Sequence, residues 1–163
     1  MRLTSFTEYS LRVLIFLAAT PGRRATIGEI ARTFGISENH LMKVVHLLGR
    51  EGLLVNTRGK GGGLELAVAP EKIGIGKVVR TIEGPPVVAE CFNAARNTCV
   101  ISPVCRLHGV LAQAADAFYA VLDSYTLEDL GRNRRALAKV LLREAAQPLR
   151  PRTSSAAIPP RHP

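Results

Sequence analysis

The chain has no tryptophan, and phenylalanine and tyrosine bring its aromatic content to only 5%. A core with few large rings must draw on Leu, Val, Ile and Ala, and the Leu and Ala among these favour helices. Cysteine is also scarce. There are three, all between residues 91 and 105. An odd, closely grouped set does not make the disulfide framework of a small secreted domain. Acidic residues are the minority, 13 against 22 Lys and Arg, so the net charge is +9. No apolar run approaches the length needed to cross a bilayer. The first apolar stretch, Leu11 to Ala19, contains Arg12 and follows Glu8. It does not read as a signal peptide, and a cytoplasmic location is expected.

What is present supports a packed protein of 163 residues, with 47% hydrophobic and 21% charged residues. The positive charge is uneven. Residues 1–64 hold nine Lys and Arg against four acids, and residues 65–147 hold ten against nine. The last sixteen residues hold three Arg and no acid. A basic N-terminal half suits contact with phosphates, because neutralising them releases counterions.

Apolar spacing predicts a helix over residues 4–19, capped by Thr4 or Ser5 and stopped at Pro21-Gly22. Thr26 begins a second helix, with Glu29 completing a capping-box pattern. Gly35 stops it. Ser37 caps a third helix from Glu38 to about Arg50, with Leu41, Val44, Val45 and Leu48 on its inner face. Two short helices joined by Thr33-Phe34-Gly35-Ile36 form a helix-turn-helix. Strands over Gly52–Val55 and Leu64–Val68 flank the basic glycine turn Arg58–Gly63. That combination is a winged helix. The turn lacks P-loop spacing and a following Lys-Ser/Thr pair, so it is not read as a nucleotide loop. Ser37, Asn39, His40 and Lys43 are placed towards a DNA groove, and Arg58 and Lys60 on the wing. Arg2, Arg12, Arg23 and Arg24 are looser phosphate candidates.

A short amphipathic helix is expected over residues 75–83, ending at Gly84-Pro85-Pro86. A loop of some twenty residues with all three cysteines follows. Loops of that length usually carry function. A long helix is expected from about Pro103 to Ser124. Its residues Leu107, Leu111, Ala114, Phe118, Val121 and Tyr125 are spaced as a heptad seam, which suggests self-pairing. Thr126 and Asp129 cap another helix, and residues 134–146 are helical. The fold class is therefore mainly α with a small β-hairpin: a winged helix-turn-helix plus a long dimerisation helix. Four parts are expected. Residues 1–84 form the DNA-binding domain, 85–106 the cysteine loop, 107–147 the dimerisation and C-terminal helices, and 148–163 a disordered basic tail.

Seven residues separate Cys91 from Cys99, and five separate Cys99 from Cys105. This is not the paired spacing of zinc ribbons or thioredoxin-like sites. Three thiolates so spread on a loop suit an iron–sulfur cluster, while zinc and redox-active thiols stay open. An enzyme is not expected, since the chain lacks a CxxxCxxC signature, a cofactor loop and a barrel's length.

Several stretches resemble the IscR/NsrR family of bacterial winged-helix regulators. They are Met1-Arg2-Leu3-Thr4-Ser5-Phe6-Thr7-Glu8-Tyr9, Ser37 to Val45, and Arg58 to Gly63. Glu90-Cys91-Phe92, Asn97-Thr98-Cys99, Ser102-Pro103-Val104-Cys105-Arg106-Leu107 and Tyr125-Thr126-Leu127 are most similar to its nitric-oxide-sensing branch. The resemblance covers residues 1–130. It implies a homodimeric repressor of double-stranded DNA with a palindromic operator. It implies that Cys91, Cys99 and Cys105 bind a [4Fe–4S] or [2Fe–2S] cluster, that nitric oxide attacks it, and that DNA is then released. A sensor of iron–sulfur cluster or redox status on the same scaffold is the alternative. For the fourth ligand the resemblance offers Glu8 of the partner subunit or His108; water or a small thiol is the remaining choice. Without a cluster, residues 87–104 are expected to be mobile. The tail is not covered.

Overall fold

The computed structural model describes residues 2–146. The expected tail, 148–163, lies outside them. The fold is mainly helical with one antiparallel hairpin. Helix α1 spans Ser5–Ala19, α2 Ile27–Phe34 and α3 Glu38–Arg50. Strands β1 (Leu54–Thr57) and β2 (Gly63–Leu66) follow, with Leu54 opposite Leu66 and Thr57 opposite Gly63. Then come α4 (Ile75–Glu83), α5 (Arg106–Asp123), α6 (Leu127–Leu130) and α7 (Arg134–Ala145).

Side-chain caps set the N-termini of α1, α2, α3 and α6. The side chains of Thr4, Thr26 and Ser37 accept hydrogen bonds from the backbone N–H groups of Thr7, Glu29 and His40, respectively. They satisfy donors that the first helical turn leaves free. Thr126 and Asp129 form a full capping box. The box expected at Thr26 is only half made. Glu29 turns away to pair with Arg23 at 2.6 Å, because a guanidinium is within reach. The first strand starts later than expected. Gly52, at φ 67°, turns the chain after α3, and Leu53 N–H closes back on Leu48 at 2.9 Å.

The core is aliphatic, as the composition requires. Phe16, Leu14, Ile30, Leu41, Leu48, Leu64, Ile73 and Leu127 are its largest fully buried side chains. Leu127 and Leu141 join the same buried cluster as α1–α4, so α6 and α7 pack back on the winged helix. A two-residue bridge, Gly74 with Thr126, stitches the entry of α4 to the exit of α5. A second, Ala25 with Leu64, holds the wing's inner strand to the segment before α2.

The seam expected on α5 is reshaped. Phe118 and Leu111 are partly buried, Phe118 against the chain's own core. Contact with α4 selects Ala115 and Tyr119 as the buried face. The apolar side chains left exposed are Leu107, Val110 and Val121, each about 60% exposed, with Ala114 and Ala117 between them. Their spacing is three, four, three, four. Among the described residues no helix is long and apolar enough to cross a membrane.

Candidate functional site

The helix-turn-helix presents its second helix, α3, on the surface. Ser37, Glu38, Asn39, His40 and Lys43 are all exposed, while Leu41, Val44, Val45 and Leu48 face inward. The 3.6-residue period alone separates these faces. Ile36, buried just before the cap, pins the turn. Gly35, at φ 62°, occupies the left-handed C-cap that ends α2. The ring of Tyr9, on α1, lies 6.3 Å from that of His40. Hence His40 is in touch with the first helix.

The wing tip carries Arg58 and Lys60, both exposed. Its root is closed by backbone pairing. Ala25 N–H donates to the Leu64 carbonyl at 3.1 Å, and Leu64 N–H to the Ala25 carbonyl at 2.8 Å. Three of the four looser phosphate candidates are held inside the chain. Arg24 grips Glu65 at 3.1 Å and reaches the Gly61 carbonyl at 3.4 Å. Arg23 pairs with Glu29. Arg12 pairs with Glu8, one turn before it on α1, and its guanidinium sits 5.7 Å from the Phe34 ring centre. Arg2 is exposed.

The cysteines lie on the segment between α4 and α5, and all three are free. Cys91 sits in a single 3₁₀ turn, Glu90–Phe92. Cys99 is exposed. Cys105 follows a second 3₁₀ turn, Ser102–Val104, and is the N-cap position of α5. Sequence pattern showed no structure here because the ties are polar and irregular. Glu90 accepts from the Thr98 hydroxyl at 2.7 Å and from the Thr98 N–H. These bonds hold the Glu90 carboxyl below the usual carboxylate range. Asn97 donates to Ser102 at 2.9 Å. The apolar side chains of Val100, Ile101 and Val104 are 92%, 56% and 82% exposed, so the rim of the segment is greasy. Among the described residues, no three His, Cys, Asp or Glu side chains converge as a single-ion site.

The two candidates for a fourth ligand differ. His108 is stacked on Phe92, with ring centres 4.5 Å apart. Glu8 lies on the opposite side of the sequence, on the first turn of α1. It is about half exposed, with Arg12 as its neighbour. One charged residue near α1 escaped the sequence reading. Glu83, the last residue of α4, accepts from Thr4 N–H at 2.7 Å, from the Thr4 hydroxyl at 2.9 Å and from the Thr7 hydroxyl. Partial burial pushes Glu83 up, but the donations from Thr7 and Thr4 outweigh this and leave it below the ordinary range. No local pattern announces a contact between residues 76 and 79 positions apart.

A family model described as "Rrf2: Iron-dependent Transcriptional regulator" matches residues 3–133. The chain belongs to the Rrf2 family. It is 54% identical over 142 residues to the HTH-type transcriptional regulator NsrR of Bacillus subtilis, covering 86% of this chain and 97% of that one. The NsrR of Geobacillus kaustophilus is 49% identical over the same shares. Among solved structures, the global cysteine regulator CymR of B. subtilis is 31% identical with a TM-score of 0.64, covering 80% of this chain and 95% of that one. T. potens IscR, at 23% identity and a TM-score of 0.65, shares the fold; 82% of this chain and 88% of that one are covered.

Rrf2-family proteins are transcriptional regulators and not enzymes. The helix-turn-helix and wing are thus a DNA-binding apparatus in this chain too. The family match ends at residue 133, so it takes in α1, the hairpin, the cysteine segment and α5.

Proposed function

We propose that the chain is a homodimeric transcriptional repressor that senses nitric oxide through an iron–sulfur cluster and releases its operator when that cluster is nitrosylated. The observation that carries this reading is the confinement of three free cysteines to one segment between α4 and α5 of an Rrf2-family winged helix. The family's description as iron-dependent and the relatives named NsrR support it. The donor set also fits. Thiolates on an irregular loop suit iron better than a hard, oxygen-seeking ion. Cys91, Cys99 and Cys105 would hold the cluster, with [4Fe–4S] favoured over [2Fe–2S]. Glu8 of the partner subunit is the preferred fourth ligand and His108 the alternative; Glu8 would have to leave Arg12 to serve. The cluster, when bound, supplies the iron with which nitric oxide reacts.

The chain's own residues do the rest. Ser37, Asn39, His40 and Lys43 meet base edges and phosphates in the major groove, and Arg58 and Lys60 meet the backbone or minor groove beside it. The exposed stripe Leu107, Val110, Ala114, Val121 pairs α5 with its copy. By role, residues 1–84 read DNA, 85–106 hold the cluster and 107–147 pair the subunits and brace the fold. A ligand from α1 of one subunit ties that subunit's reading head to its partner's cysteine segment. Breaking the tie lets the two heads change separation. Half-sites lie about one helical turn or a multiple apart, so a small shift costs affinity.

Anaerobic reconstitution with iron and sulfide tests the reading. The expected product is brown, with about three protein thiolates consumed, and nitric oxide bleaches it and weakens operator binding. A colourless protein holding zinc would sink the cluster. DNA affinity that ignores nitric oxide but follows iron chelation would favour a cluster-status sensor.

A further inference from the structure

We propose that Glu83 is a positioning residue: its carboxylate fastens the first turn of α1, which carries Glu8, to the end of α4, where the cysteine segment begins.

Glu83 is badly placed for its own helix. A carboxylate at a helix C-terminus meets the negative end of the macrodipole. Its place is explained by α1, whose positive end it faces. One oxygen, Oε1, accepts from the Thr4 N–H, the Thr4 hydroxyl and the Thr7 hydroxyl. Thr7 is fully buried, and a buried hydroxyl needs a partner. Here the partner comes from another helix. Thr4 is meanwhile the N-cap of α1, accepting Thr7 N–H at 3.3 Å. Cap, first turn and Glu83 therefore form one polar knot.

The knot has two neighbours of consequence. Glu8 directly follows Thr7 on α1. Gly84 follows Glu83 at φ 71° and swings the chain out of α4 towards Pro85, Pro86 and the cysteines. In a dimer where Glu8 serves the partner's cluster, the knot ties the ligand a subunit gives to the loop that same subunit keeps. Disturbance of one cysteine segment is then passed through Glu83 and α1 to the other. This rests on the reading of Glu8 given above, but the knot itself does not.

Two measurements separate these layers, using Glu83→Ala, Glu83→Gln, Thr7→Val and Glu8→Ala in the full-length chain. The first is amide hydrogen exchange in the cluster-free protein. Losing hydrogen bonds to a charged acceptor should speed exchange over residues 4–11 in Glu83→Ala by about tenfold or more, with α7 unchanged. Glu83→Gln, which keeps a carbonyl acceptor, should fall between. Adding Thr7→Val to Glu83→Ala should add less than it does alone. Unchanged exchange at α1 overturns the knot. The second is the rate at which a chelator removes visible absorption from the reconstituted protein. Glu83→Ala should approach the faster rate of Glu8→Ala. If α1 loosens but only Glu8→Ala speeds the loss, Glu83 does not position Glu8. If Glu8→Ala has no effect, the ligand reading fails and the positioning role with it, while exchange still judges the knot.

Discussion

Arg80 grips Asp123 with both ends of its guanidinium, Nη1 to Oδ1 at 2.5 Å and Nη2 to Oδ2 at 2.6 Å. The same group lies 4.5 Å from the Tyr119 ring centre. Arg80 is in the last turn of α4, and Asp123 is the last residue of α5. The guanidinium's hydrogen bonds hold the Asp123 carboxyl below its ordinary range. Both side chains are nearly half exposed, so water screens the pair and its own contribution to stability is small. Its value is geometric: it sets where α5 leaves α4.

Gly76 makes that junction possible. A Cβ there would sit 2.0 Å from Asp123 Oδ1 and 2.9 Å from its backbone nitrogen. Gly76→Ala should therefore destabilise the fold by about 1–3 kcal/mol, the usual cost of overpacking. Thermal denaturation reads this. Adding Asp123→Ala should recover only part, because the backbone contact persists. An unchanged Tm for Gly76→Ala would show that the helices do not meet this closely.

The wing depends on Gly63 in a comparable way. Its φ is 147°, and a Cβ would stand 2.9 Å from the Ala25 carbonyl. That carbonyl accepts from Leu64, the pairing that closes the wing's root. Gly63→Ala should loosen this bridge, speed exchange of the Ala25 and Leu64 amides, and lower DNA affinity. Wild-type exchange at those amides would contradict the account.

Salt dependence separates phosphate contacts from structural arginines. Arg58→Ala and Lys60→Ala should each reduce the slope of log affinity against log salt by about one on duplex DNA. Arg24→Ala should change the slope less, since Arg24 is spent on Glu65 and Gly61. Equal slopes for Arg58→Ala and wild type would remove the wing tip from the interface.

Acid should release Glu83. Its folded pKa is depressed, so its ionisation contributes stability above the unfolded value. That contribution fades as pH falls through the ordinary carboxylate range and is gone below the folded value. The gap in Tm between wild type and Glu83→Gln should be widest near neutrality and close as acid is added. A gap that stays constant would mean the charge of Glu83 is not what Thr4 and Thr7 recognise.

The helix-turn-helix could be read directly because its signals are local. Thr26 and Ser37 each precede an apolar stripe, and Gly35 stands where a left-handed residue is needed. The cysteines were legible as a group for the same reason, though only resemblance narrowed what they hold. Long-range choices escaped. Glu29 left its capping role for Arg23, a partner six positions back. The buried face of α5 was decided by α4, and a heptad count could not know this. Gly52 looked like the start of a strand but closes a helix. Glu83 carries no local signal of its contact with α1, since its partners lie 76 and 79 positions away.

The Gly74–Thr126 bridge and the Arg80–Asp123 grip both hold the C-terminal end of α5. At its other end Arg106, Leu107, His108, Gly109 and Val110 are all exposed. Within one chain the helix is thus a cantilever, clamped at the tail and loaded at the tip by Cys105. Ala115 and Tyr119 are packed on α4, so the free arm is the nine residues Arg106 to Ala114, about 14 Å, and each degree of tilt carries the tip by roughly a quarter of an ångström. If Cys105 serves as a cluster ligand, a tilt of about four degrees would carry its thiol by about an ångström.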